Sequence, residues 1–206
     1  MNYLFYDFVK ATAALPGLVA FRPKIIYENK AAKARIKGGA LLVANHFGFF
    51  DPIYLQFAVW YRRMHFVCIQ DFFDSKWGWL FKAVHCIPVN RDNIQMSTIR
   101  GITDSLKNEK IVAMFPEGHI NEDPDNLGSF KSGVVLMALR SKKPIIPVYI
   151  RPPQRKTDRL MLVIGEPVDV QKICKGAGMS SIEECAKLLK EKEEGLKKLV
   201  STEDKT

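Results

Sequence analysis

Short apolar runs that alternate with helical patterns are the feature of this sequence that most restricts its fold. The runs Ala40–Ala44 and Ile111–Phe115 are apolar throughout, as expected of strands covered by helices on both faces. The alternation predicts an α/β domain with a central, mostly parallel sheet flanked by helices. The predicted strands are Lys24–Tyr27, Ala40–Ala44, His65–Ile69, Ile87–Asn90, Ile111–Phe115, Ile145–Ile150 and Leu160–Ile164. The predicted helices are Asp51–Tyr61, Trp77–Val84, Asn93–Leu106, Gly133–Arg140 and Ile182–Val200.

Length and composition fit a single domain. A chain of 206 residues with 47% hydrophobic residues can bury one substantial core. We predict an N-terminal segment over residues 1–22 and one domain over residues 23–206, without internal repeats or linkers. The four cysteines form no C-x-x-C pair, which indicates reduced thiols in a cytoplasmic protein.

The N-terminal segment 1–22 is apolar and aromatic, and Asp7, Lys10 and Pro16 interrupt it. It is too broken for a clear membrane span of about 20 apolar residues, and it lacks the pattern of a signal peptide. Two readings stay open. The segment is either a helix that lies in the membrane interface or an ordinary N-terminal helix that packs on the domain.

The net charge of +9 favours an anionic partner, although solvated lysines contribute to it. A basic stretch runs from Lys142 to Arg159, without interleaved aromatic residues or a recognition-helix pattern. We therefore expect contact with lipid headgroups or an anionic donor, and no nucleic acid.

The sequence Asn45-His46-Phe47-Gly48-Phe49-Phe50-Asp51 places a histidine and an aspartate across a predicted turn. His46 follows the strand Ala40–Ala44, and Asp51 precedes Pro52 at the start of the next helix. A carboxylate bonded to one ring nitrogen would leave the other as a base. No serine or cysteine nucleophile lies nearby in sequence, so the base would activate a hydroxyl of the substrate. The alternative is that Asp51 only caps its helix and His46 is an ordinary turn residue.

Two further loops follow predicted strands. Glu117 and Gly118 follow Ile111–Phe115, at the sheet edge where α/β folds place their sites. Glu117 could orient an acceptor there, and the backbone at Gly118 could approach it closely. Arg91 follows Ile87–Asn90, and its guanidinium suits phosphate. Taken singly, Glu117 and Gly118 are better explained by a plain loop, and Arg91 by a surface ion pair.

Four blocks in the right order resemble the glycerolipid acyltransferase family typified by lysophosphatidate acyltransferases. NHFGFFD is similar to its catalytic N-H-x-x-x-x-D block, IPVNR to the second and FPEGH to the third. KPIIPV resembles the fourth block, and FKSG resembles the F-K-x-G that usually precedes it. The blocks lie within residues 45–148, and the resemblance covers roughly residues 24–170.

This resemblance implies an O-acyltransferase in which His46 is the general base and Asp51 orients it. It implies that Arg91 binds the acceptor with Lys131 as a helper, and that the acceptor is a lysophospholipid or related glycerolipid. The implied donor is acyl-CoA or an acylated carrier protein, with no metal or redox cofactor. The implied location is the cytoplasmic face of a membrane, as a peripheral or monotopic protein.

The chain departs from the family pattern where T-R-S usually follows F-P-E-G. His119, Ile120 and Asn121 stand there, and the acceptor-binding arginine is absent. The lysine that many members carry near Gln70 is also absent, and Gly48 replaces the usual serine. These changes favour an acceptor other than lysophosphatidate, such as a lyso-aminolipid.

Three rival functions use the same residues differently. A thioesterase or lipid hydrolase would apply the His46 and Asp51 pair to water. A metal hydrolase would use His46, Asp51, Glu117 and His119 as ligands, although the sequence has no compact ligand motif. A lipid-binding module would catalyse nothing.

Overall fold

A seven-stranded sheet forms the centre of the fold. The computed structural model describes residues 3–90, 95–123, 126–155, 157–174 and 178–203. The strands lie in the order β1-β7-β6-β2-β5-β3-β4, and every neighbouring pair is parallel except β6 and β7. Their bounds are β1 (Lys24–Tyr27), β2 (Ala40–Ala44), β3 (Met64–Ile69), β4 (Ile87–Val89), β5 (Ile111–Met114), β6 (Ile145–Arg151) and β7 (Met161–Ile164). The predicted fold class and the predicted strands are confirmed, with small shifts at strand ends.

Helices cover both faces of the sheet. They are α1 (Leu4–Phe21), α2 (Lys30–Lys33), α3 (Asp51–Ala58), α4 (Gln70–Asp74), α5 (Gly78–Ala83), α6 (Met96–Lys107), α7 (Gly133–Ser141), α8 (Val170–Ile173) and α9 (Met179–Glu203). Alternate residues of β2 divide between two cores. Leu41 and Val43 belong to the core under α6, α7 and α9, whereas Leu42 and Ala44 belong to the core under α3. The fully apolar strand sequence is thus explained by burial on both faces.

Helix ends differ from the prediction for local reasons. Helix α3 ends at Ala58 rather than Tyr61, because Val59 leaves the helical region and Gln56 donates to the carbonyl groups of Val59 and Arg62. Helix α9 begins at Met179, and Ile182 already donates to the carbonyl of Gly178. The start of α6 was predicted at Asn93, which lies outside the described residues.

Parallel strands bring the two candidate loops together. Strands β2 and β5 are adjacent and in register from Ala40 opposite Ile111 to Val43 opposite Met114. Their carboxyl ends therefore lie at the same edge of the sheet, and the loops with His46 and Glu117 leave from that edge.

Helix α1 packs on the domain through one side only. The Tyr6 hydroxyl donates to Gln56 at 2.7 Å and accepts from the backbone N–H of Met64 at 2.8 Å. The Asp7 carboxylate pairs with both ends of the Arg63 fork at 2.6 and 2.8 Å. The outer side is apolar and exposed, with exposed fractions of 75% at Leu4, 63% at Phe8, 69% at Leu15 and 72% at Val19. Among the described helices, α1 is long and apolar enough to cross a membrane by length and composition.

Candidate active site

His46 and Asp51 meet across the turn between β2 and α3. His46 Nδ1 lies 2.8 Å from Asp51 Oδ2, the distance of a charge-assisted hydrogen bond. Asp51 is fully buried, and the same Oδ2 accepts the backbone N–H groups of Phe47 at 2.6 Å and Gly48 at 2.8 Å. Asp51 therefore closes the turn and orients the imidazole with one oxygen. The arrangement leaves Nε2 of His46 as the ring nitrogen that can take a proton.

Glu117 holds the same turn from the other side. Its side chain is only 2% exposed. Oε1 accepts the backbone N–H of His46 at 3.1 Å, and Oε2 accepts the N–H of Gly128 at 3.0 Å. A Cβ on Gly128 would lie 2.3 Å from Glu117 Oε2, so this close approach requires glycine. The structure thus gives Glu117 backbone partners, and its predicted contact with an acceptor stays a prediction.

Gly118 and Lys131 lie against each other beside this turn. Gly118 has φ of +76°, which L residues with side chains rarely adopt. A Cβ at Gly118 would lie 2.8 Å from both Cε and Nζ of Lys131. The lysine side chain therefore crosses the space that glycine leaves open. Arg91, the fourth predicted substrate-binding residue with Glu117, Gly118 and Lys131, lies outside the described residues.

A cavity of about 510 Å³ adjoins His46. It extends between α1, α3, β3 and α5, and most of its lining atoms are apolar. The apolar lining includes Val9, Ala13, Ile53, Val67, Phe81 and Val134. The polar side chains on its wall include His46 and Lys131. A mostly apolar cavity with a few polar groups is typical of a site for a small apolar ligand.

Two cysteines on the cavity wall are neighbours. The neighbouring Cys68 thiol and burial raise the pKa of the Cys86 thiol well above its usual range. Neither thiol forms a disulfide, and the reduced state of the cysteines stays a prediction. A thiol with a raised pKa is a poor nucleophile at neutral pH.

Comparison with known proteins identifies the family. The acyltransferase family model matches residues 24–151, more than half of the chain. The chain belongs to the acyltransferase family. It is 30% identical over 136 residues to the 1-acyl-sn-glycerol-3-phosphate acyltransferase of Bacillus subtilis (strain 168), covering 63% of this chain and 67% of that protein. It is 30% identical over 144 residues to the enzyme of that name from Streptococcus pneumoniae (strain ATCC BAA-255 / R6), covering 66% of this chain and 52% of that protein.

A solved structure has the same fold as this acyltransferase. It is the crystal structure of the 1-acyl-sn-glycerophosphate (LPA) acyltransferase from Thermotoga maritima. The TM-score is 0.64 at 21% sequence identity, over 92% of this chain and 78% of that chain. The family resemblance read from the four sequence blocks is confirmed by these comparisons.

Several features of this acyltransferase were not predicted from its sequence. The cavity, Gly128 and the contacts of Asn45 are among them. The rival metal hydrolase would use His46, Asp51, Glu117 and His119 as its ligands. Among the described residues, no three His, Cys, Asp or Glu side chains are arranged to hold a metal ion. The Nδ1 atom of His119 instead lies 3.0 Å from the carbonyl oxygen of Glu117.

Proposed function

We propose that this acyltransferase moves a fatty acyl group from an acyl thioester to the hydroxyl of a lysophospholipid or related glycerolipid. The observation that carries the proposal is the 2.8 Å contact between Asp51 Oδ2 and Nδ1 of His46, a residue on the wall of an apolar cavity. A histidine held in this way is suited to general base catalysis through Nε2. The adjoining cavity is suited to the hydrocarbon chain of one substrate.

The reaction would follow from this geometry. His46 Nε2 takes the proton of the acceptor hydroxyl as its oxygen attacks the thioester carbonyl. The buried Asp51 carboxylate stabilises the imidazolium that forms and keeps its ring in place. The C–S bond then breaks, and His46 returns the proton to the leaving thiolate. No metal or redox cofactor takes part in these steps.

Lys131 is our candidate for the positive group beside the reacting atoms. The N–H of Gly118 already donates to the carbonyl of Phe115 at 3.1 Å, so it is engaged within the turn. The ammonium of Lys131 lies against Gly118 and on the cavity wall. There it can stabilise either the oxyanion of the tetrahedral intermediate or an acceptor phosphate. Arg91 adds a second acceptor contact by resemblance to the family pattern.

The exposed apolar side of α1 supports binding to a membrane surface. Exposed aromatic side chains lie close to both ends of α3. Phe49, which is 71% exposed, precedes the helix, and Trp60, which is 62% exposed, follows it. A one-sided helix with such residues suits the membrane interface. The net charge of +9 adds attraction to anionic lipid. We place the enzyme on the cytoplasmic face of a membrane, as a peripheral or monotopic protein.

The two readings of the N-terminal segment are therefore compatible. One side of α1 packs on the domain through Tyr6 and Asp7, and the other side is available to lipid. The same helix lines the cavity through Val9 and Ala13. A lipid acyl chain could thus pass from the membrane to the cavity along protein surface that is already apolar.

A direct assay tests the proposal. The purified chain is incubated with mixed lysolipids and labelled acyl-CoA or acylated carrier protein, and the products are identified by mass spectrometry. We expect an acylated lipid whose formation is lost in His46→Ala. The product mass also separates a lysophospholipid from a lyso-aminolipid acceptor. Release of free fatty acid alone would indicate a thioesterase or hydrolase, and no turnover with either donor would indicate a lipid-binding module.

A further inference from the structure

Three buried carboxyl groups hold four consecutive backbone N–H groups around His46. The N–H groups belong to residues 45, 46, 47 and 48, which form the turn after β2. Asp51 accepts two of them and Glu117 accepts one, as described above. The remaining N–H, that of Asn45, donates to Glu193 Oε1 at 2.6 Å. Glu193 lies in α9, outside the segment that the family model matches.

Asn45 is fixed from both sides. Its side-chain amide donates to the carbonyl of Ile150 at 2.8 Å and accepts the N–H of Ile150 at 2.7 Å. These bonds attach Asn45 to β6 just beyond the β2–β6 ladder, which ends at Ala44 opposite Val148. Glu193 supplies the acceptor that the backbone of Asn45 needs after the ladder ends. The residue before His46 thus depends on α9 for its last hydrogen bond.

The environment of Glu193 favours its neutral form. The side chain is fully buried, and burial raises the pKa of the Glu193 carboxyl well above its usual range, with the neighbouring Glu117 adding to the effect. A neutral carboxyl still has a carbonyl oxygen that accepts the N–H of Asn45. Among the described residues, Oε2 of Glu193 has no hydrogen-bond partner. One oxygen at a defined position is therefore what the side chain contributes.

We infer that Glu193 is a positioning residue for His46. Glu193 acts through the backbone of Asn45. The inference rests on the proposed function, because that function assigns His46 as the base. An unbonded N–H at Asn45 would let the turn move, and Nε2 of His46 would leave its productive position. A displacement of about 1 Å can lower a rate by about a hundredfold. The structural helix α9 would thus be part of the catalytic apparatus of this chain.

The test compares substitutions of Glu193 that keep or remove the oxygen that accepts the N–H of Asn45. Glu193→Leu removes the acceptor, whereas Glu193→Gln keeps a carbonyl oxygen for the Asn45 N–H. Leu189→Ala is the matched control, because Leu189 is fully buried in α9 but belongs to the core under α6 and α7. In acyl-transfer kinetics we expect Glu193→Leu to lower kcat by about tenfold or more, with KM within about twofold of wild type. We expect Glu193→Gln to stay within about threefold of wild-type kcat, and Leu189→Ala to lower Tm without a comparable loss of kcat.

Other results would overturn the inference. These are a wild-type kcat in Glu193→Leu, equal losses of kcat in the Leu and Gln variants, or a loss of kcat in Leu189→Ala as large as that in Glu193→Leu. If Glu193→Leu does not fold, Glu193→Asp replaces it, since the shorter acid withdraws its oxygen from Asn45. A kcat for the Asp variant equal to or above that of the Gln variant would then contradict the inference.

A measurement without substrate separates this inference from the proposed function. Amide hydrogen exchange over residues 45–51 should be faster in Glu193→Leu, or in Glu193→Asp, than in Glu193→Gln. Unchanged exchange in every variant would defeat the positioning role even if acyl transfer is found. Faster exchange in a chain without His46-dependent acyl transfer would instead defeat the proposed function alone.

Discussion

The imidazole of His46 stacks on the ring of Phe115, with centroids 4.1 Å apart and 13° between the ring planes. Phe115 directly follows β5, the strand whose loop also carries Glu117. The plane of the proposed base is therefore fixed by an aromatic neighbour, in addition to the carboxylate at Nδ1. Packing and hydrogen bonding act together on one side chain.

Replacing Phe115 by leucine should lower kcat by about three- to tenfold, because a ring contact of this kind is worth about 0.5–1.5 kcal/mol. Leucine keeps the site apolar, so the fold should persist. Phe73→Leu is the control, since Phe73 lies in α4 and its ring pairs with that of Phe81, with centroids 5.9 Å apart. Steady-state kinetics and thermal unfolding of both variants check this. Equal effects on kcat in both would show that the stack has no particular role.

Asp51→Asn should reduce kcat by up to about 10⁴-fold, the scale seen when a carboxylate that orients a catalytic histidine becomes an amide. The amide oxygen can still accept the N–H groups of Phe47 and Gly48, but it carries no charge to stabilise the imidazolium.

His46→Ala should abolish acyl transfer while the chain remains folded. Single-turnover assays together with circular dichroism measure both. Wild-type turnover in His46→Ala would exclude the proposed mechanism.

The strands and the contact between His46 and Asp51 could be predicted because their signals are local. Ala40–Ala44 is apolar throughout, and Asp51-Pro52 marks a helix start whatever the rest of the chain does. Spacing along the sequence was enough to place His46 and Asp51 on either side of one turn. The sequence Ser181-Ile182-Glu183-Glu184 has the pattern of a capping box, which predicted the start of the last helix at Ile182, and this local signal was misleading. The chain there is already helical, because Ile182 donates to the carbonyl of Gly178.

Glu193 and the cavity could not be predicted in this way. Glu193 stands in a run of Lys and Glu residues that resembles the solvated face of a helix, and only the packing of α9 against the sheet buries it. The cavity is assembled from segments far apart in the chain, such as Val9 in α1 and Val134 in α7. The hydrophobic periodicity of one segment cannot predict a cavity that forms between several segments. Long-range placement decided both features.

The stability of the chain should fall in acid partly through His65. Burial lowers the pKa of His65 from 6.5 to about 4. Its Nδ1 lies 3.1 Å from the carbonyl oxygen of His85, and its Nε2 lies 3.4 Å from the hydroxyl of Tyr3. Because the folded state favours the neutral ring, the contribution is present above about pH 6.5 and is lost as the pH falls through about 4.

The variant His65→Gln keeps a donor and an acceptor but does not titrate, so it isolates this contribution. The free energy of unfolding of wild type and variant is measured by urea denaturation between pH 7 and pH 4. We expect the wild type to lose more stability than the variant across this range. Parallel pH profiles for the two proteins would show that His65 is not the group responsible.

The third sequence block should determine the acceptor. The family arginine is absent where His119 and Ile120 stand, so lysophosphatidate should not be the best substrate of the wild type. The double substitution H119T/I120R should raise kcat/KM for lysophosphatidate by about tenfold or more, since a hydrogen bond to a charged group contributes about 1.5–3 kcal/mol. Competition between lysophosphatidate and zwitterionic lysolipids measures the shift. A wild type that already prefers lysophosphatidate would contradict the prediction.

The outer side of α1 should hold the enzyme on the membrane. Deleting residues 1–22 would also remove the Tyr6 contacts and part of the cavity wall, so point substitutions are the sharper test. Changing Phe8, Leu15 and Val19 together to glutamine removes apolar area that is exposed in the folded chain. At roughly 1.5–3 kcal/mol for each side chain if fully buried, the triple variant should bind anionic vesicles at least about a hundredfold more weakly.

The control for this variant uses exposed apolar residues of the last helix, α9. Met179 and Leu188, exposed by 68% and 42% in α9, are changed to glutamine in the same way. Vesicle sedimentation should be unaffected by this pair and strongly reduced by the α1 triple. Salt should weaken the remaining binding, because the basic surface of the chain is screened. Activity on detergent-dispersed acceptor should then fall less than activity on vesicles. Equal sedimentation of the triple variant and the wild type would leave α1 a packing helix without a membrane role.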